Sequence, residues 1–565
     1  MKGGFFVPYD GFVMNKFINQ AQFIVGSFLK NIYYKKNTMY FSFSNVDLKI
    51  SLNPNFSYMT FERRMLSQDM KKHYFVDFLR SRIKNSKILS FEQFGFERTA
   101  KLVLEKNDEI GVTHKYEIYT DIMGKHSNII IVENNKILDA YRRITTRYRN
   151  IIPGEKFKLF EGSKINPKTD LDKLFSFAKA FNGKKSEFIF KNIQGFSKIT
   201  ANEVLYRANL EDKKFSCDDL EIIVKTVEEL MREFEENKLY IYFENNQPFE
   251  ISAFKLNHLG MEYKILDDIS KAISFFFEWI EQKSYLFQVK KNLENIIIKK
   301  IEKLENILTK IEKEIRKNSD YEKYKKWGEL LKAYFYRIND FQKEVELEDW
   351  NTGEKINIPL EKDKNPIENA NNYFRIYNRK KTKLKGLLER KEYLEKELDY
   401  LYQLWYSINE IENTKDVEEI KKELIEYGLI KEKKGKRKKK IEKSLPRKTI
   451  YNGFTIYIGK NNRQNDELVK KSSKEDIWLH SHGMPGAHVV IKSEGKDIDM
   501  ETLKFAAQLA AGYSKGKNST NVPVDYTKIK HVRKTKDLKP GMVLYDNYKT
   551  IYVNPRRLED VQSCF

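Results

Sequence analysis

The chain has 565 residues, room for about three or four ordinary domains, so burying sizeable cores is no difficulty. Its 104 Lys and Arg against 81 Asp and Glu leave a formal net charge of +23, which favours polyanionic partners, either nucleic acid or an anionic membrane face. Only two cysteines occur, Cys217 and Cys564, with no CxxC. That excludes a disulfide framework and a cysteine zinc site, and suits a reducing compartment.

At the N-terminus, Asp10 and Lys16 interrupt the apolar stretch that a secretion signal needs. Apolar clusters such as Phe275-Phe276-Phe277 fall far short of a membrane span. The expectation is a soluble, cytoplasmic protein of multidomain α+β class.

Residues 1–178 read as an α+β domain with a mostly antiparallel sheet. In "YFSFSNVDLKISL", Phe41 and Phe43 alternate with serines, then Val46, Leu48, Ile50 and Leu52 alternate with Asp47, Lys49 and Ser51. "NIIIVENNKILDAY" reads as two strands about an Asn134-Asn135 turn. Residues 179–235 switch to helical spacing. The turn Gly195-Phe196-Ser197 there has the form of a helix-hairpin-helix element, whose exposed amides can meet a phosphate; a helix corner without a ligand is the plainer reading.

Within a middle region, 236–430, Ile297, Ile301, Leu304, Leu308, Ile311 and Ile315 follow a 4-3-4-3-4 heptad seam on a helix expected over 268–318. Leu387, Leu394, Leu398, Leu401 and Trp405 keep that spacing over about 366–412, with Lys391 interrupting. Two such helices in one chain predict a long antiparallel coiled-coil arm, the rival being a parallel self-dimer. "LEDWNTGEKINIPL" between them predicts a small β tip. Residues 431–448 hold eleven Lys or Arg against two Glu and read as a basic linker. A C-terminal α+β domain follows, 449–565.

Motifs of chemistry are scarce. No P-loop, GxGxxG after a strand, GxSxG or HExxH occurs. "DIWLHSHGMPGAHVVI" places His480, His482 and His488 close together, and His480 and His482 would share one face of a strand. A three-histidine metal site is geometrically possible there, but Ile477, Trp478 and Val489 read as sheet core and no further ligand follows, so no metal is assigned. A Ser481/His480 nucleophilic pair fails because adjacent strand residues point apart. "DIMGKHSNIII", residues 121–131, gathers donors at a strand entry. Lys125 and His126 suit phosphate, and Asn128 suits a base or 2′-hydroxyl, or else holds its own backbone. Charge, aromatics, an arm and exposed turns are the parts of a binding protein, without a catalytic residue or cofactor.

Several stretches together resemble one family. They are "DGFVMNKFI" (10–18), "GFER" (95–98), "DIMGKHSNIII", "YEKYKKWGELLKAYF", "NPIENANNYFRIYNRKK", "IYIGKNNRQNDELV", "DIWLHSHGMPGAHVVI" and "AAGYSKGKNSTNVPVDYT". The chain is similar throughout to the NFACT family of ribosome quality-control proteins, also described as fibronectin-binding protein A-like. The resemblance implies an N-terminal domain of glycosylase-like fold without catalysis and a C-terminal RNA-binding-type domain. It implies a factor that binds obstructed large ribosomal subunits carrying peptidyl-tRNA. Such a factor recruits tRNA, alanine-accepting in bacterial members, for mRNA-independent C-terminal tailing of the nascent chain. Peptidyl transfer belongs to the ribosome, and a small RNA-binding protein is a further partner.

The tRNA-facing residues implied are Asp10, Glu97, Arg98, Asp121, Ile122, Met123, Lys125, His126 and Asn128, with His480, His482, His488, Lys515 and Lys517 as RNA- or ribosome-facing candidates. One step departs from the family. Many members carry Asp-Arg where this chain has Glu97-Arg98, so the carboxylate stands one methylene further out. A DNA glycosylase is the first alternative, but such enzymes need an N-terminal proline amine, whereas this chain begins Met1-Lys2 and Pro8 lies too far in. A surface adhesin is the second, and no signal peptide or wall anchor is visible.

Overall fold

The computed structural model describes residues 9–63, 71–146, 149–159, 164–340, 342–432, 444–535 and 538–562. The chain is a multidomain α+β protein and divides into two compact units, Met1–Lys283 and Ser284–Phe565.

The first unit holds two antiparallel meanders. One runs Asn31–Lys35, Thr38–Ser42, Val46–Asn53 and Phe56–Arg63. The other runs Lys87–Gln93, Thr99–Asn107, Thr113–Asp121, Asn128–Glu133 and Lys136–Ala140. Asn134 and Asn135 both take positive φ, the conformation a two-residue hairpin turn requires. The alternation over Val46–Asn53 makes a strand as read, but its polar side does not face water: Asp47, Lys49 and Ser51 are buried. The start of the helix Ile269–Asn318 lies across the meander, with Thr60 Oγ1 donating 2.9 Å to the Ser270 carbonyl and Tyr58 OH 2.7 Å to Glu281. Lys49 is neutralised beneath it by Glu62.

The helical segment follows the expected pattern. Helices Lys185–Asn192 and Lys198–Arg207 flank the Gly195-Phe196-Ser197 turn, and Ser197 caps the second through a reciprocal box with Thr200. Phe196 packs at 5.0 Å on Phe12, which also meets Phe96, Phe234 and Phe254. One aromatic cluster thereby joins the hairpin to the N-terminal helix Gly11–Gln20.

In the second unit the two heptad seams meet. Leu293, Ile297, Ile301, Leu304 and Ile311 share a core with Leu394, Leu398, Leu401, Leu404 and Ile408. The helices run antiparallel: Lys290 Nζ donates to the Asn409 carbonyl at one end, Trp405 Nε1 to Glu294 further along, and Lys380 pairs with Asp320 at the other end. Lys391, the break in the apolar spacing, pairs at 3.4 Å with Glu312 on the opposite helix. The return helix, Pro366–Asn409, starts where "NPIE" dictates, with a reciprocal Asn365–Glu368 box and Pro366 in its first turn. The tip is the hairpin Glu344–Glu348 with Lys355–Pro359. Beside it lies a helix, Tyr321–Ala333, that the sequence reading did not separate.

Of the basic linker, residues 433–443 lie outside the described residues. Arg447 and Lys448, at its expected end, already belong to the first strand of the C-terminal sheet, Arg447–Tyr451. That sheet is antiparallel, in the spatial order Arg447–Tyr451, Phe454–Ile458, Val489–Lys492, Ile477–Ser481, Val522–Lys528 and Lys549–Val553. Leu479, Val489 and Ile491 share a core with the helix Met500–Gly512. Trp478 and Val490, on the opposite face, pack with Leu468 of the helix Asn462–Lys471. Among the described residues no helix is long and apolar enough to cross a membrane.

Leu401 is fully buried in the arm seam. Leu401→Ala should cost about 2–5 kcal/mol of local stability, seen as lost amide-exchange protection in both arm helices. Lys391→Ala, which removes a partly exposed pair, should cost less than about 1 kcal/mol.

Candidate nucleic-acid interface

The strands Thr99–Asn107 and Thr113–Asp121 pair with Thr99 opposite Asp121, and the pairing continues outward through the Ile122 amide, which donates to the Arg98 carbonyl at 2.8 Å. This register sets "GFER" directly beside "DIMGKHSN" at one end of the sheet. The Phe94–Arg98 turn is clamped by Gln93, whose amide donates 2.8 Å to the carbonyls of both Gly11 and Glu97. Gln194, from the helical turn, accepts from the Phe96 amide at 3.2 Å. The Asp10-Gly11 step needs its glycine, since a Cβ there would lie 1.8 Å from the Phe96 carbonyl oxygen. That approach brings Asp10 close enough for its charge and that of Arg98 to act on each other.

Asp10 caps the helix Gly11–Gln20, accepting from the Phe12 and Val13 amides at 3.1 and 3.0 Å. Burial raises its pKa to about 7, against the pull of those amides and of Arg98. A second buried carboxyl, Glu250, is also pushed well up by burial, with Asp10 adding to it. Arg98 is half-buried, and among the described residues no hydrogen bond or ion pair engages its guanidinium. Burial draws its pKa below the usual value, opposed by Asp10 and Glu97. Glu97 Oε1 is buried without a hydrogen-bond partner among the described residues. Lys164 senses both Glu97 and Arg98, and burial lowers its pKa.

The neighbouring stretch divides into framework and rim. Asp121 is buried, accepting from Thr99 Oγ1 at 2.8 Å and pairing with Arg149 at 2.8 Å. Ile122 is in the core. The Met123 amide donates to Ser127 Oγ, and Gly124, at φ +59°, donates to Ser57 Oγ at 3.0 Å. Asn128 is buried and holds backbone: its Oδ1 accepts from the Ile129 and Arg142 amides and its Nδ2 donates to the Arg142 carbonyl. Lys125 and His126 are exposed, and the Arg142 guanidinium fixes the Lys125 carbonyl. The arrangement is a rigid sheet end bearing a half-buried, unengaged guanidinium and an exposed Lys-His pair. Gln93, Arg142, Arg149, Lys164 and Gln194 had no motif to mark them; only the tertiary fold gathers them here.

His480 and His488 of the C-terminal domain meet, and His482 is held by Asp525. His480 stacks beside Trp478 with centroids 5.8 Å apart and meets His488 edge-on at 5.2 Å. Both are buried enough to stay neutral near pH 7, His480 being lowered to about 4 and His488 well below its usual value. His482 lies one residue past the strand Ile477–Ser481, but its amide continues the pairing to the Pro523 carbonyl, and its ring reaches Asp525, the residue opposite His480, so the two histidines share a face as expected. His482 is exposed, and its Nδ1 lies 2.7 Å from Asp525, which also accepts from Tyr545 and Thr550. Ser481 points the other way and donates to the Ala510 carbonyl. Trp478, His480, His488 and Tyr545 line a pocket of about 350 Å³ beside the return helix of the arm. No group of three or more potential metal ligands occurs among the described residues. Lys515 is exposed, with its ammonium 5.2 Å from the Tyr402 ring, and Lys517 is exposed two residues on.

Residues 10–443 match the NFACT N-terminal and middle domains, and residues 448–547 match the NFACT protein RNA binding domain. The chain belongs to the NFACT family. A Bacillus subtilis NFACT relative, "Rqc2 homolog RqcH", is 31% identical over 528 residues, covering 90% of each chain. The Streptococcus pneumoniae protein of the same name is 29% identical over 527 residues, again 90% of each. Among solved structures, the C-terminal part of the Streptococcus suis fibronectin/fibrinogen-binding protein is 28% identical. It covers 49% of this NFACT chain and 98% of its own, with a TM-score of 0.40.

The Asp10 carboxyl titrates near pH 7 in the folded chain and near 4 when unfolded. The fold therefore holds a proton that the unfolded chain has released, so the contribution of Asp10 to stability is fullest at low pH and falls as pH rises from about 4 to 7. Asp10→Asn keeps a capping oxygen without the charge. The urea midpoint of this variant should gain on that of the natural chain between pH 5 and pH 8; parallel midpoints would assign the titration to other groups.

Proposed function

We propose that this chain is a ribosome-associated quality-control factor. It binds large ribosomal subunits that carry peptidyl-tRNA and recruits a further tRNA, alanine-accepting in this reading, for mRNA-independent tailing of the stalled chain. Peptide-bond formation remains with the ribosome, and the protein supplies position. The family match and the RNA binding domain support the RNA-facing part of this reading.

The observation that carries the finer part is the half-buried Arg98 guanidinium, unengaged among the described residues, between Asp10 and Glu97. A guanidinium removed from bulk water but left without partners keeps its fork of donors for a phosphate or a base edge, a geometry that lysine cannot reproduce. Glu97 keeps a buried acceptor beside it. Lys125 and His126 offer exposed donors at the same end of the sheet for the backbone of the same RNA. Asp121, Ile122, Met123 and Asn128 serve this site as its framework. In the C-terminal domain, exposed His482, Lys515 and Lys517 are the candidates for contact with ribosomal RNA, and His480 and His488 form the inner wall behind them.

Arg98→Ala should leave a folded chain that still sediments with large subunits and loses co-purifying tRNA. The loss should be on the order of 1–3 kcal/mol, by analogy with a bidentate base contact. Glu97→Asp should keep or strengthen tRNA recovery. Sequencing the recovered tRNA tests the alanine assignment, and full tRNA recovery by Arg98→Ala would remove Arg98 from the recruiting role.

A further inference from the structure

At the opposite end of the same strands lies a second, unassigned pocket of about 640 Å³. Its lining includes Phe28, Arg80, Lys84, Lys87 and Lys106, with Glu105 the carboxylate among them. These groups come from separate elements. Arg80 stands on the helix Tyr74–Ile83 and Lys84 caps its C-terminus. Lys87 opens a strand, bridges to Phe28 and faces Glu105 in register, and Lys106 is the last residue but one of the next strand.

Arg80 is engaged by Asp77 and the Ile32 carbonyl. Lys106 donates to the Ser81 carbonyl at 3.3 Å. Among the described residues no carboxylate pairs with Lys84, Lys87 or Lys106. Cations at a helix C-terminus offset its exposed carbonyls, which accounts for Arg80 and Lys84. It also accounts for Lys106, which donates to the Ser81 carbonyl in the last turn of that helix; it does not account for Lys87, which opens a strand. Like charges collected in one pocket repel unless an anion joins them. Phe28 is 49% exposed in their midst, with Lys30 also over its ring. Cations around an exposed aromatic face form the combination that holds a nucleic-acid backbone and stacks a base.

We infer that this pocket is a second RNA-binding site, in which Lys84, Lys87 and Lys106 take consecutive phosphates and Phe28 stacks an unpaired base. The inference rests on the RNA-binding reading above and extends it. The strand Thr99–Asn107 separates this pocket from the Arg98 end by roughly 26 Å at about 3.3 Å per residue. That is on the order of eight phosphates along one strand of a helix, so one folded RNA, but not a trinucleotide, spans both.

The test is tRNA binding by the full chain, followed by fluorescence anisotropy over a series of salt concentrations. Lys84→Gln, Lys87→Gln and Lys106→Gln combined should weaken binding at least about tenfold near 0.1 M salt. The slope of log affinity against log salt should become shallower by about two to three. Each single substitution should reduce that slope by about one, which keeps the test open should the triple variant unfold. Gln at the exposed Lys179, Lys225 and Lys264 makes an equal loss of net charge outside the pocket lining and should leave the slope within about one of the natural chain. Phe28→Ala should weaken binding about fivefold or more with the slope unchanged, as stacking predicts.

An unaltered slope in the triple variant, or an equal loss in the control set, overturns the pocket assignment while leaving the Arg98 site standing. Loss of binding to phosphatidylserine vesicles or inorganic phosphate with tRNA binding intact assigns the pocket to a different anion and overturns it as well. A natural chain that binds no tRNA at any salt overturns the RNA reading as a whole.

Discussion

The antiparallel pairing of Thr99–Asn107 with Thr113–Asp121 decides the geometry of the surface proposed to face tRNA. Opposing Thr99 to Asp121 puts Arg98 against Ile122 and turns two stretches of sequence into one edge. A slip of one residue would turn every side chain on the strand to the opposite face. It would also break the Thr99–Asp121 hydrogen bond and the ion pair of Asp121 with Arg149 that hold that edge. Gln93 and Gln194 then fix the turn carrying Glu97 and Arg98, and Gly11 lets the N-terminal helix close on it.

Burial of charge is the second constraint. Asp10, Glu250 and Arg98 are all taken partly or wholly out of water, and the cost appears as pKa values displaced toward the neutral forms. A folded chain retains such a cluster at a cost in stability, which fits a site arranged for a ligand better than one arranged for packing. In the C-terminal domain the same effect keeps His480 and His488 neutral, while His482 is exposed with its Nδ1 beside Asp525.

Much of the architecture was legible because it is periodic. The arm could be read from two heptad seams, and even the Lys391 break has its partner in Glu312. The Asn134-Asn135 hairpin and the Asn365 helix start were equally local signals. What sequence spacing did not carry was the environment. The alternation of Val46–Asn53 marked a strand but not that a helix more than two hundred residues further along the chain covers its polar side. His480 and His482 do share a face, but spacing could not say that one is packed against Trp478 while the other is exposed and held by Asp525. Arg98 and Asp10 were legible as candidates only through family resemblance. Lys164 and the clamping glutamines were not, because nothing local distinguishes them from surface residues. The pocket of Lys84, Lys87 and Lys106 likewise comes into being only when three separate segments fold together.

In the proposed role this basic chain acts on the large ribosomal subunit through RNA. Gradient sedimentation of lysates containing the tagged chain, at low and at raised salt, tests it most directly. At low salt the chain should travel with large subunits, not with small subunits or intact ribosomes, and raised salt should release it as counterions compete for phosphate. A chain that stays at the top of the gradient at every salt concentration, or sediments only with membranes, would contradict that role.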